Sequence, residues 1–115
     1  MKAVWTDLAM ESRLGADSRT EELEGGIERT VVLIDDELSA RELGRPKGTY
    51  VTLSCPQTMT IELSTRTALS EALGHELRGM LPKGAQTVLV TGLGNRSVTP
   101  DALGPRTVER VLVTR

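Results

Sequence analysis

Asp101 is the acid whose neighbours best equip it for chemistry. It stands in TVLVTGLGNRSVTPDALGP (87–105), where an apolar run, a Gly/Asn turn and a Thr-Pro-Asp step follow one another. In α/β sheets, sites form where strand C-ends meet helix N-ends. Gly92 and Gly94 allow backbone angles that other residues resist, and Asn95 tolerates left-handed geometry. Such a turn can aim backbone N–H groups at a substrate carbonyl or oxyanion, so Gly94 and Asn95 are expected in a substrate loop beside Asp101. A second reading stays open: an aspartate near a helix start also serves as a cap. Dinucleotide binding does not fit, because the third glycine falls at 104 and the G-x-G-x-x-G fingerprint fails.

The other reactive side chains stand alone. Cys55 is the single cysteine and His75 the single histidine. A catalytic thiol needs a base, and nothing in the sequence brings the two together. His75 lacks further ligands at metal-binding spacing, so no metal or other cofactor is expected.

The elements that position Asp101 follow from periodicity. Residues 86–91 (QTVLVT) form a near-continuous apolar run, expected as a strand buried on both faces of a sheet. Residues 101–113 read as a helix. Residues 65–81 carry Ala68, Leu69, Ala72, Leu73, Leu77 and Met80 at helical spacing, with Ser64 or Thr65 as cap and Pro82 and Gly84 closing it. Upstream, 27–34 (IERTVVLI), 49–54 (TYVTLS) and 58–63 (TMTIEL) read as strands. Residues 35–44 read as a short helix capped by Asp35 or Asp36 and stopped by Gly44. The polar stretch 13–26 reads as loop or frayed helix. Helix–strand–helix around an apolar strand argues for an α/β layer fold, and 115 residues for a single domain spanning 1–115.

Composition narrows the function classes. The net charge is −2, with 38% hydrophobic and 26% charged residues, so no basic face or charged tail argues for nucleic acid. No apolar run approaches the roughly 20 residues that span a bilayer, and MKAVWTDLAME lacks the apolar core of a signal peptide. One cysteine excludes an intrachain disulfide and favours a reducing compartment. Aromatic residues are 2%, namely Trp5 and Tyr50 with no Phe, so the core must be aliphatic.

Three blocks, TDLAMES (6–12), GTYVTLS (48–54) and GLGNRSVTPDALGP (92–105), resemble the germination proteases of spore-forming bacteria. The strand–GxGN–Asp–helix corner also resembles the hydrogenase maturation proteases. The resemblance implies an α/β, three-layer-like sandwich with a central twisted, mostly parallel sheet flanked by helices, of which this chain is the N-terminal part. It implies an endopeptidase that degrades small acid-soluble spore proteins in the spore core, cleaving after Glu. The enzyme would be made as an autoprocessed zymogen and assembled as a homotetramer. Only MKAVW precedes the TDLA block, so a very short prosegment or a start near the mature end is expected.

By the same resemblance, Asp101 matches one of two catalytic aspartates. Two close carboxylates share a proton, one acting as base on water and the other as acid on the carbonyl. The second aspartate of the family lies in the C-terminal remainder of the protein. Asp7 is the best candidate for a substitute within this chain, with a structural hydrogen bond as the stronger reading of it, and Asp35 and Asp36 are better read as caps. Residues 1–115 alone are therefore expected to be inactive. The alternatives are a nickel-binding protease of the hydrogenase-maturation type using Asp101 as ligand, and an inactive remnant acting in assembly.

Overall fold

The computed structural model describes residues 17–55 and 62–114. The chain divides into two compact units, residues 1–80 and 81–115.

In the first unit, β1 (Asp17–Leu23) and β2 (Ile27–Ile34) form an antiparallel hairpin. The turn between them places Gly25 at φ 81° and Gly26 at φ 71°, a region that glycine enters without steric cost. Gly25 also lies so close to Ala68 that a Cβ would stand 2.8 Å from the alanine methyl. Strand β1 corrects, over 17–23, the loop or frayed helix expected over 13–26, of which residues 13–16 lie outside the described residues. Its pattern is polar because it is an edge strand, and its pairing comes from cross-strand partners. Thr20 and Thr30 are register partners with hydroxyls 3.1 Å apart. Arg29 faces Glu21 and donates to its Oε1 at 2.9 Å.

Strand β2 is as expected over 27–34. Thr30, Val32 and Ile34 alternate as buried residues on one face, the period-two signature of a strand. Helix α1 (Glu37–Leu43) follows, and the choice between Asp35 and Asp36 resolves to Asp36. Its Oδ1 accepts the Ser39 backbone N–H at 2.8 Å and its Oδ2 the Ser39 hydroxyl at 2.6 Å. Gly44 closes the helix in the left-handed conformation. Strand β3 (Gly48–Ser54) then pairs antiparallel with β2, Val31 opposite Val51.

The described sheet is thus three-stranded, ordered β1-β2-β3, and antiparallel throughout, not the mostly parallel sheet that was expected. A three-residue hairpin can join only antiparallel neighbours, which decides the first pair.

Helix α2 runs Leu63–Met80, two residues earlier than its periodicity indicates, so Ser64 and Thr65 lie inside it instead of capping it. Leu63, expected to end a strand over 58–63, opens this helix; residues 56–61 lie outside the described residues. Helix α2 lies against β2 and β3, and its Leu69, Leu73 and Leu77 line an aliphatic groove with Val51 and Leu53. An aliphatic contact of this kind is what a chain without Phe must use.

In the second unit the apolar run 86–91 forms no strand. Among the described residues, 86–94 make no backbone–backbone hydrogen bond. A strand is a ladder, and this run has no neighbour there to ladder with. A 3-10 turn at Thr99–Asp101 leads into α3 (Leu103–Val108), so the helix expected over 101–113 is shorter. Gly104, Pro105, Thr107 and Val108 are weak helix formers, and i+3 bonds from Arg110 to Thr107 and from Val111 to Val108 tighten its end. Ala102, 1% exposed, is the buried apolar side chain of this unit among the described residues. No helix among the described residues is long and apolar enough to cross a membrane.

Candidate functional site

The Asp101 corner is assembled from backbone. Residues 92–95 fold back over residues 101–108, and three glycines make the approach possible. A Cβ on Gly94 would run into the Asp101 carbonyl oxygen and stand 3.3 Å from Asp101 Oδ1. A Cβ on Gly92 would strike the Gly104 carbonyl and come within 2.6 Å of Val108 Cγ2. A Cβ on Gly104 would strike the Leu93 carbonyl. Gly94 also holds φ 138°, which side-chain-bearing residues rarely adopt.

Asp101 closes the corner. Its Oδ2 accepts the backbone N–H of Asn95 at 2.7 Å, the length of a charge-assisted bond. Asn95 Oδ1 in turn accepts the Ser97 N–H at 2.9 Å, and Asn95 O accepts the Val98 N–H at 3.2 Å. Asp101 N–H bonds Val98 O at 2.9 Å. The carboxylate caps no helix: Asp101 ends the 3-10 turn, and neither that turn nor α3 has a side-chain cap. The capping reading therefore gives way to a loop-closing one. Oδ1 has no hydrogen-bond partner among the described residues, and the side chain is exposed. At the rim, Arg96 pairs with Glu109.

Gly94, Asn95 and Asp101 are thus brought together. Asp7, the candidate second acid, lies outside the described residues. Glu109, at the C-terminal end of α3, is engaged by Arg96. A carboxylate with an exposed oxygen and a fixed backbone anchor can accept or deliver a proton; activating water and polarising a carbonyl together needs a second acid. Asp36 serves helix α1 as a cap, as expected, and the Ser39 hydroxyl and N–H hold its carboxyl below the ordinary range. Among the described residues, no set of three or more His, Cys, Asp or Glu side chains is placed to hold a metal ion. His75 lies on α2, and Cys55 follows β3 half-buried.

Sequence reasoning missed one polar cluster. Arg29 Nε donates to Glu76 Oε1 at 2.6 Å and Nη2 to Oε2 at 3.2 Å, a bidentate grip across the sheet–helix contact. The side chains are 24% and 13% exposed. Arg29 holds the Glu76 carboxyl below its ordinary range, and Glu76 raises the Arg29 guanidinium. The only signal was a cation, Arg29, in a strand made mostly of Ile, Val, Thr and Leu.

The germination protease family model matches residues 9–115. A germination protease of Caldanaerobacter subterraneus subsp. tengcongensis is 39% identical over 118 residues, covering 96% of this chain and 36% of that protein. Germination proteases of Clostridium acetobutylicum and Clostridium perfringens are 33% and 36% identical, each match covering all of this chain and 39% of the relative. The chain therefore spans little more than a third of the length of these relatives. No solved structure matches it significantly. The block GLGNRSVTPDALGP, with the Asp101 corner it folds into, lies within the matched residues, and the chain belongs to the germination protease family.

Proposed function

We propose that this chain is the Asp101-bearing part of an endopeptidase that opens the degradation of small acid-soluble spore proteins at germination. Asp101 is one carboxylate of an acid pair, and the second comes from the C-terminal remainder of the same protein. In the reaction one carboxylate takes a proton from water as the water attacks the scissile carbonyl. The other places a proton on the carbonyl oxygen; the first carboxylate then passes the proton it took to the amide nitrogen, the C–N bond breaks and the amine leaves, while the second carboxylate recovers a proton from a hydroxyl of the collapsing tetrahedral intermediate. Gly94 and Asn95 line the approach to the acid. Cleavage after Glu, zymogen processing, a homotetramer and residence in the spore core belong to the same proposal.

The observation that carries this reading is the Asn95–Asp101 bond within the family-matched block. It holds a carboxylate at a glycine-built corner in a conformation that serves no helix. The test joins residues 1–115 to the part of the Caldanaerobacter relative outside its match and measures cleavage of an acid-soluble spore protein. The joined chain should cut after Glu, and residues 1–115 alone should not. Equal cleavage by the Asp101→Asn joined chain would remove Asp101 from the chemistry, and loss of activity to a chelator would move the site to a metal mechanism.

A further inference from the structure

The second unit carries the same tetrapeptide twice: VLVT at 88–91 and VLVT at 111–114. Both copies are β-branched and apolar, the composition of a buried strand. Neither forms a strand, and residues 86–94 and 112–114 have no backbone–backbone hydrogen bond among the described residues. Their side chains are open to solvent: Leu89 is 89% exposed, Leu112 and Val113 84% each. The two copies flank one groove of about 670 Å3, lined by Val, Leu, Thr and Gln with no charged side chain.

We propose that this groove seats an apolar, β-forming segment from the part of a full-length germination protease chain that residues 1–115 do not span. The inference rests on the reading of this chain as part of a longer peptidase, and it names the surface on which the rest docks. Unpaired strand-forming backbone is a template for another strand. An uncharged lining of mainly Val and Leu fits a core segment and offers no cation to an acidic peptide or a phosphate backbone. The relatives supply the length, since the match covers only 36–39% of them. The unit also needs the partner: units below about 40 residues seldom build a sufficient core alone, and among the described residues this one buries only Ala102 as an apolar side chain. The groove lies beside the Asp101 corner in the chain, since α3, which follows Asp101, contributes Val108 to its wall. Docking there would bring the remainder of the chain to the acid that needs a second carboxylate.

Hydrogen exchange tests it. Amides 87–91 and 112–114 are read in residues 1–115 and in the chain joined to the rest of the Caldanaerobacter relative. Exchange at both runs should slow by roughly a hundredfold in the joined chain. Leu89→Asp should restore it by about tenfold or more, because a buried leucine becomes a buried charge, whereas Leu38→Asp on exposed α1 should not. Should the joined chain not fold, the separately expressed remainder is titrated into residues 1–115 and the same amides read. Unchanged exchange at these runs in both formats overturns the proposal. So does protection already present in residues 1–115 alone together with a dimer in sedimentation, which would make a second copy the occupant. Failure of the peptidase reading is distinct: the runs would be protected, yet the Asp101→Asn joined chain would cleave at the unmodified rate.

Discussion

Asn95 donates its backbone N–H to Asp101 Oδ2 at 2.7 Å, across six positions of sequence. One oxygen of the acid is thereby fixed by the loop, and the other is left to solvent. Substitution can dissect the loop-holding role that this bond shows from the proton exchange proposed for the free oxygen.

Asp101→Asn keeps an oxygen able to accept the Asn95 N–H and loses the exchangeable proton. In the joined chain, peptidase activity should fall at least about a hundredfold, the scale of general acid–base catalysis, with protection of the Asn95 amide retained. Asp101→Ala should lose both. If Asp101→Asn and Asp101→Ala lost protection alike while activity stayed, the residue would be a loop clasp only.

Gly94→Ala puts a methyl into the Asp101 carbonyl and onto a backbone with φ 138°. Strain of this kind costs about 1–3 kcal/mol, so the corner should open. The Asn95 amide should exchange at least roughly tenfold faster, and the joined chain should lose activity although Asp101 is untouched. Wild-type exchange and activity would show that the corner tolerates a side chain there.

Glu76→Gln removes the carboxylate that grips Arg29 in two places. Arg29 keeps Glu21, which softens the loss. The first unit should be destabilised by about 1–2 kcal/mol, read as a lower urea midpoint with an unchanged slope. A neutral outcome would place this pair with surface ion pairs of little weight.

Acid should destabilise the first unit through the same groups. Glu76 is held below its ordinary value by the Arg29 hydrogen bond, and Asp36 by the Ser39 hydroxyl and N–H. A carboxylate with a lowered folded pKa adds stability that is present above its unfolded value, near pH 4. That stability is lost as pH falls through the folded value. Thermal midpoints should be level from pH 7 to about 5 and drop below about 4, less steeply in Glu76→Gln. A midpoint that rose in acid would refute the assignment.

The first unit was largely legible. Asp36 and Gly44 bracket α1 because caps are local chemistry, and the alternation of Thr30, Val32 and Ile34 marks β2 because burial follows the pleat. Strand β1 was hidden because its partners, Thr30 for Thr20 and Arg29 for Glu21, are not sequence neighbours. The run 86–91 was misread for the converse reason. Its composition is that of a strand, but a strand also needs a neighbour, and composition cannot supply one. At the site, the glycines and Asp101 could be picked out, whereas the target of the carboxylate could not. Helix capping and loop closure use the same residue type, and only geometry separates them.

The interlock of Gly92, Gly94 and Gly104 has a consequence for how this corner can change over time. The acid's position is encoded largely in peptide groups resting on peptide groups, so the exposed side chains beside it are nearly free to drift. In a saturation library, tolerance should be all-or-none: three positions frozen at glycine, and Leu93 and Leu103, both exposed, open to many replacements. Such a corner resists gradual remodelling, because the smallest available step, a single methyl, is already too large.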